Sequence, residues 1–214
     1  LLSIKSLISG SIKRLSHVFR YSSLPVTRRE SVAEHTCFVA LFSFAIAKDL
    51  EAKGEKVDYG KLLKSALLHD IDESLSGDFL RCVKYGVPGL HELLDLASTR
   101  FIDSIQTQLG IDLIHDWKDA KDSTLEGWIV SVADLLEVVS YIQEELASGN
   151  KHVSYILFEV GGYFDRLERT CPYALGPYIK QIINIVNSLK QFYYDPSTPS
   201  LIPAEDAYVN EDEE

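Results

Sequence analysis

Apolar residues recur at three- and four-residue intervals along almost the whole chain, the spacing of one buried face of an α-helix. The first such segment covers residues 3–19, and Pro25 ends it, since proline disfavours a helical residue before it. Ser31-Val32-Ala33-Glu34 has the form of a capping box and opens a helix to about residue 51, with Val39, Phe42, Ala45 and Ile46 on its apolar face. Gly54 closes that segment, and a further helix is expected from near residue 58 to the His69-Asp70 pair. Residues 71–87 read as a short helix followed by an irregular loop holding Gly77 and Gly86. Pro88 suits the first turn of a helix that carries Leu90, Leu93, Leu94, Ala97, Phe101 and Ile102 up to Gly110. The polar stretch 112–122 reads as a loop. Ser123-Thr124-Leu125-Glu126 has the form of a second capping box and opens a helix through Asp134 to Leu146. Two more helices fit residues 153–169 and 174–193, parted by Cys171-Pro172. No strand-like alternation of useful length occurs, so the expected class is all-α.

At 214 residues the chain is long enough for one sizeable core. The expected division is a folded domain over 1–194 and a loose acidic tail over 195–214. The formal net charge of −11 is unevenly spread: residues 205–214 hold six acids, while residues 1–29 hold six Lys or Arg and no acid. An acidic body argues against binding a nucleic-acid polymer, whereas a local basic cluster suits a small phosphate ligand. Three cysteines, Cys37, Cys82 and Cys171, lie far apart with no CxxC pair, which points to a reduced, cytoplasmic protein. No apolar run approaches the length of a membrane span and no signal peptide is visible, so no membrane partner is expected.

The chemistry concentrates at Ala66-Leu67-Leu68-His69-Asp70-Ile71-Asp72-Glu73, followed by Gly77-Asp78. An apolar run that ends in so many ionisable groups needs partners for them, and a metal ion is the simplest partner. His35 and Asp134 lie on other predicted helices, and helical bundles build metal sites from inward-facing side chains on separate helices. Two imidazoles and two carboxylates suit a divalent transition ion that keeps open positions.

His35, the His69-Asp70 doublet and a later lone Asp134 together resemble the H…HD…D signature of the HD-domain metal-dependent phosphohydrolases. A closer resemblance is to the YfbR-like 5′-deoxynucleotidase branch. It rests on Arg20-Tyr21 fifteen residues before His35, Glu30-Ser31-Val32-Ala33-Glu34-His35, Glu73, Gly77-Asp78, Val83-Lys84-Tyr85, and Tyr141 and Glu144-Glu145-Leu146 after Asp134. The resemblance implies an all-helical HD fold, a homodimer, and removal of phosphate from 2′-deoxynucleoside 5′-monophosphates. It assigns His35, His69, Asp70 and Asp134 to the metal, Co²⁺ or Mn²⁺ first, with Fe²⁺, Ni²⁺ or Zn²⁺ as alternatives. It makes Glu73 the group that orients or deprotonates the attacking water and places Asp78 near the leaving oxygen. Arg20 and Lys84 would neutralise phosphate charge, and Tyr21 stands where a compared deoxynucleotidase has a tryptophan that helps exclude ribose. Ser131 stands where related sequences often carry a lysine.

Three alternatives to this function stay open in the sequence: a deoxynucleoside triphosphate triphosphohydrolase, an HD phosphodiesterase, and a non-catalytic nucleotide-binding domain. A second doublet, His115-Asp116 with Asp119 at plus three, lacks a long apolar helix before it and a Gly-Asp element after it. It is expected to be a decoy.

Overall fold

The structure, a computed structural model, describes residues 2–193; the acidic tail expected over 195–214 lies outside them. Eleven α-helices occur among the described residues: α1 Ile4–Ser9, α2 Val32–Ala52, α3 Tyr59–Leu68, α4 Glu73–Ser76, α5 Arg81–Gly86, α6 Leu90–Leu109, α7 Ile114–Lys118, α8 Leu125–Ala147, α9 Ile156–Glu159, α10 Gly161–Thr170 and α11 Gly176–Tyr193. Short 3₁₀ turns join several of them, and the described residues contain no strand beyond one isolated bridge between Phe19 and Ser31. The all-α expectation holds.

α8 is the central element. Ile129, Val130, Val132, Ala133, Val139, Ile142 and Leu146 along it are all buried. They share one core with Val39, Ala47 and Leu50 of α2, Leu62 and Ala66 of α3, and Ile179, Ile182 and Val186 of α11. Burying a Leu or Ile side chain in such a core contributes about 1.5–3 kcal/mol. A smaller core of Ile71, Ile102, Ile105, Leu109 and Leu113 seats α6 beside the chain that follows α3. Among the described residues no helix is long and apolar enough to cross a membrane.

The capping box at Ser31 forms with both bonds: the Ser31 hydroxyl accepts the Glu34 N–H at 3.2 Å, and the Glu34 carboxylate accepts the Ser31 N–H at 2.8 Å. Such a cap contributes about 1 kcal/mol and fixes where α2 begins. The second expected box does not form. Thr124, not Ser123, caps α8, and Glu126 is buried with its carboxylate accepting the Asp58 N–H at 2.8 Å. Tertiary demand for that acid overrides the local motif.

Other expectations need correction. The segment 3–19 is not one helix but α1 and a 3₁₀ turn, Ser11–Ser16, parted at Gly10, where a Cβ would meet the Ser6 carbonyl oxygen at 2.0 Å. Gly89, with φ +79°, caps α6 just past Pro88, so Pro88 precedes the helix rather than opening it. Two short helices, α5 and α7, occupy stretches expected to be loop, and the segment 153–169 is broken into a 3₁₀ turn, α9 and α10.

Candidate metal and phosphate site

The site lies where the first turn of α2, the C-terminal end of α3 and the middle of α8 meet. His35 sits four residues after the Ser31 cap and is fully buried. His69 caps the end of α3, so the chain turns there and Asp70 emerges beside it. The Nε2 atom of His35 lies 3.3 Å from Nε2 of His69, 3.5 Å from Asp70 Oδ2 and 3.2 Å from Asp134 Oδ1. His69 Nε2 lies 3.0 Å from Asp70 Oδ2. The structure thus brings all four expected metal ligands together.

The other nitrogen of each ring is committed elsewhere. His69 Nδ1–H donates to the Ala66 carbonyl at 2.8 Å, and His35 Nδ1–H donates to Glu137 Oε2 at 2.6 Å. Outer-shell partners of this kind set the tautomer of a metal-binding histidine and leave Nε2 to face the ion. Donor atoms about 2.1 Å from a common centre sit about 3.0–3.4 Å apart at octahedral to tetrahedral angles. The observed separations of 3.0–3.5 Å match that geometry. The donors of His35, His69 and Asp70 lie mutually close enough to hold one divalent ion, and Asp134 joins them through its contact with His35 Nε2. Without one, a proton takes the place. Burial and Arg20 act against that proton, but Asp134, Asp70 and Glu137 hold the His35 ring up to about 10. Desolvation opposes the charge on Asp70 and Asp134 too, yet the neighbouring histidines, with Lys121 beside Asp134, hold both carboxyls well below the usual range.

Glu73 opens α4 one turn after Asp70. Burial, followed by the fields of Asp70 and Asp78, pushes its carboxyl well above the ordinary glutamate value, and its Oε2 is buried without a hydrogen-bond partner. An unpartnered oxygen of that kind suits a group that accepts a proton from a transient water.

Arg20 reaches the site from a segment pinned against α2. Its N–H donates to the Glu30 carbonyl at 2.9 Å, and the Val32 N–H donates to the Val18 carbonyl at the same distance. Its guanidinium donates to Glu137 Oε2 at 2.9 Å and lies 3.5 Å from Glu30. Glu137 therefore serves two masters at once, the ring of His35 and the cation of Arg20. Burial and the neighbouring Glu137 push the Glu30 carboxyl up to about 7. Tyr21 follows in the left-handed region at φ 53°, stacked on Tyr141 with ring centroids 5.5 Å apart. Its N–H donates to Asp78 Oδ2 at 3.0 Å, so Asp78 ties the Arg20-Tyr21 turn to the loop after α4. Glu145 braces the same region by accepting from Thr27, Arg28 and Asn150.

Lys84 lies half-buried on α5, where its charge acts on Asp72. Ser131 is buried and gives its hydroxyl to the Gly127 carbonyl at 3.1 Å, so it faces its own helix. Two contributors were not singled out from sequence. Glu137 could have been found as a lone acid in the apolar run Leu135-Leu136-Glu137-Val138-Val139, one turn past Asp134. Lys121, whose Nζ lies 2.6 Å from Asp134 Oδ2, gave no signal, being one loop lysine among several. His115-Asp116 sits on α7 at the surface, with 81% of the His115 side chain exposed.

Residues 8–162 match the family described as 5′-deoxynucleotidase YfbR-like. A 5′-deoxynucleotidase of Photorhabdus laumondii is 28% identical over 144 residues, covering 65% of this chain and 73% of that protein. Among solved structures, a conserved hypothetical protein of Pyrococcus furiosus aligns with a TM-score of 0.67 at 26% identity, covering 87% of this chain and 99% of that one. The HD phosphohydrolase DatZ of cyanophage S-2L, bound to dA and one catalytic Zn²⁺, aligns with a TM-score of 0.62 at 19% identity over 83% of this chain and 95% of its own, and shares the fold. With the family match spanning most of the folded residues and the HD constellation assembled in space, this chain belongs to the YfbR-like 5′-deoxynucleotidase family.

Proposed function

We propose that this chain is a metal-dependent 5′-deoxynucleotidase that removes phosphate from 2′-deoxynucleoside 5′-monophosphates. The observation that carries the reading is the convergence of two histidine Nε2 atoms and two carboxylates beside an unpartnered glutamate oxygen. His35, His69, Asp70 and Asp134 hold the ion, with Co²⁺ or Mn²⁺ our first choice. A divalent ion held there would polarise a phosphoryl oxygen and acidify water. Glu73 Oε2 takes the proton of the attacking water, and its raised pKa brings it closer to working pH than a free glutamate. Arg20 and Lys84 neutralise phosphate charge, which is most of what phosphoryl transfer asks of a protein. Asp78 holds the Arg20-Tyr21 turn and stands near the leaving oxygen. The buried, stacked ring of Tyr21 is a fixed wall suited to excluding a ribose 2′-hydroxyl.

The reading extends to a cytoplasmic homodimer whose folded domain ends near residue 194. Cys37 and Cys171 are free thiols, which suits a reducing compartment. Phe38, Leu41 and Phe44 of α2 and Leu63 and Leu67 of α3 are between 36% and 57% exposed, an apolar face that a second copy would cover.

The test is phosphate release by purified protein with added Co²⁺ or Mn²⁺ against deoxy- and ribonucleoside mono-, di- and triphosphates. Release from deoxynucleoside monophosphates is expected, with Glu73→Ala retaining metal and losing turnover. No release from any of them with metal bound would refute the reading, as would tripolyphosphate released from deoxynucleoside triphosphates as the main product. Light scattering on the same preparation should return twice the chain mass, and a monomer would remove the dimer from the reading.

A further inference from the structure

Lys121 stands between α7 and α8, and its ammonium contacts a different oxygen of Asp134 from the one that faces His35. Nζ lies 2.6 Å from Oδ2, while Oδ1 lies 3.2 Å from His35 Nε2. One carboxylate thus joins the ammonium to the metal-facing ring, and neither contact displaces the other. The Lys121 side chain is 36% exposed, against 20% for Asp134, so solvent reaches part of it. Burial opposes its charge, and Asp134 and Asp70 favour it.

The two cations near His35 are differently placed. Arg20 lies on the Nδ1 side of the ring, where Glu137 and Glu30 already share it. The one ion pair described for Lys121 is with Asp134, a residue that a divalent ion would also engage. An ion of charge +2 balances Asp70 and Asp134 together. Lys121 then shares Asp134 with the ion, and its ammonium, with three N–H donors, keeps donors for a phosphate oxygen.

We infer that Lys121 is a phosphate-binding residue of this site: the Asp134–Lys121 contact holds a cation at the edge of the metal position, from which it donates to a non-bridging phosphate oxygen. The assignment rests on the phosphomonoester reading above.

The probe is inorganic phosphate, titrated calorimetrically into metal-loaded wild type, Lys121→Ala and Lys121→Arg at fixed ionic strength. Metal is titrated into the metal-free forms in parallel. Loss of a charge-assisted hydrogen bond should raise the phosphate Kd of Lys121→Ala by about tenfold or more, with Lys121→Arg recovering most of the loss. Metal affinity should hold or tighten, because a neighbouring positive charge has been removed. An unchanged phosphate Kd in Lys121→Ala would overturn the assignment. So would metal and phosphate affinities falling together, which would make Lys121 only an aiming device for Asp134. If metal-loaded wild type neither binds phosphate nor hydrolyses a deoxynucleotide, the phosphomonoester reading fails first and the Lys121 assignment with it.

Discussion

Two His-Asp doublets stand in one chain, and the fold treats them in opposite ways. His69 is buried, its Nδ1 is tied to the Ala66 carbonyl, and its Nε2 faces His35 and Asp70. His115 is four-fifths exposed, lies 3.9 Å from Asp119, and belongs to a surface helix whose Asp116 pairs with Lys64. Both doublets have an acid three residues after their aspartate. The difference is the company: His69-Asp70 ends a helix packed under α2 and α8, so His35 and Asp134 arrive from outside the local sequence. A doublet becomes a metal site when burial removes competing water and other elements supply the remaining ligands.

The sharpest way to break that comparison is to exchange its terms. His69→Ala should abolish metal binding and lower turnover on the order of 10³-fold or more, equivalent to about 4 kcal/mol of barrier. His115→Ala should leave turnover within about twofold and stability within about 0.5 kcal/mol, as for an ordinary surface change. A large loss in His115→Ala, read by the same phosphate-release assay and thermal melt, would show that the second doublet is not a bystander.

The outer contacts of the buried doublet's partner can be tested next. Glu137→Gln keeps the shape of the side chain but removes the charge that orients His35 Nδ1–H and holds Arg20. Metal affinity should fall about 10–100-fold. The nucleotide KM at saturating metal should also rise, because Arg20 loses its anchor. Equal metal affinity in wild type and variant would refute the orienting role.

The smallest effect expected is one of pH. In the metal-free fold the His35 proton is held to about 10, above the ordinary histidine value near 6.5. Its contribution to metal-free stability is therefore fully present below about 6.5 and lost as pH rises through about 10. An ion must displace that proton, so metal uptake near pH 8 should release about one proton and tighten with rising pH. Calorimetry in buffers of different ionisation enthalpy counts the proton. Zero protons released would show that the ring is already neutral. Melts across the alkaline range should show the metal-free form losing stability and the loaded form not.

Much of this was legible in the residues. Helical periodicity gave the class, and the Ser31-Glu34 box located α2 to within a residue, because a cap is set by local bonds alone. The same local logic failed at Ser123-Glu126, where Glu126 is taken by the backbone of residue 58. It failed again over 3–19, where periodicity continued through a glycine that the backbone uses as a break. His35, His69, Asp70 and Asp134 could be picked out because each has a recognisable chemistry and a fixed order along the chain. The unsatisfied oxygen of Glu73, the sharing of Glu137 between His35 and Arg20, and the pairing of Lys121 with Asp134 could not.

Sequence by itself determined the helical class, the long helices α2, α6, α8 and α11, and which side chains can bind a metal, since these follow from residue type and short-range spacing. Tertiary structure brings His35 and Asp134 to the first His-Asp doublet and leaves the second at the surface. It also decided which oxygen of Asp134 faces the ring and which faces Lys121. The physical reason is that ligand geometry, desolvation and charge pairing depend on distances between elements far apart in the chain, and packing around α8 sets those distances.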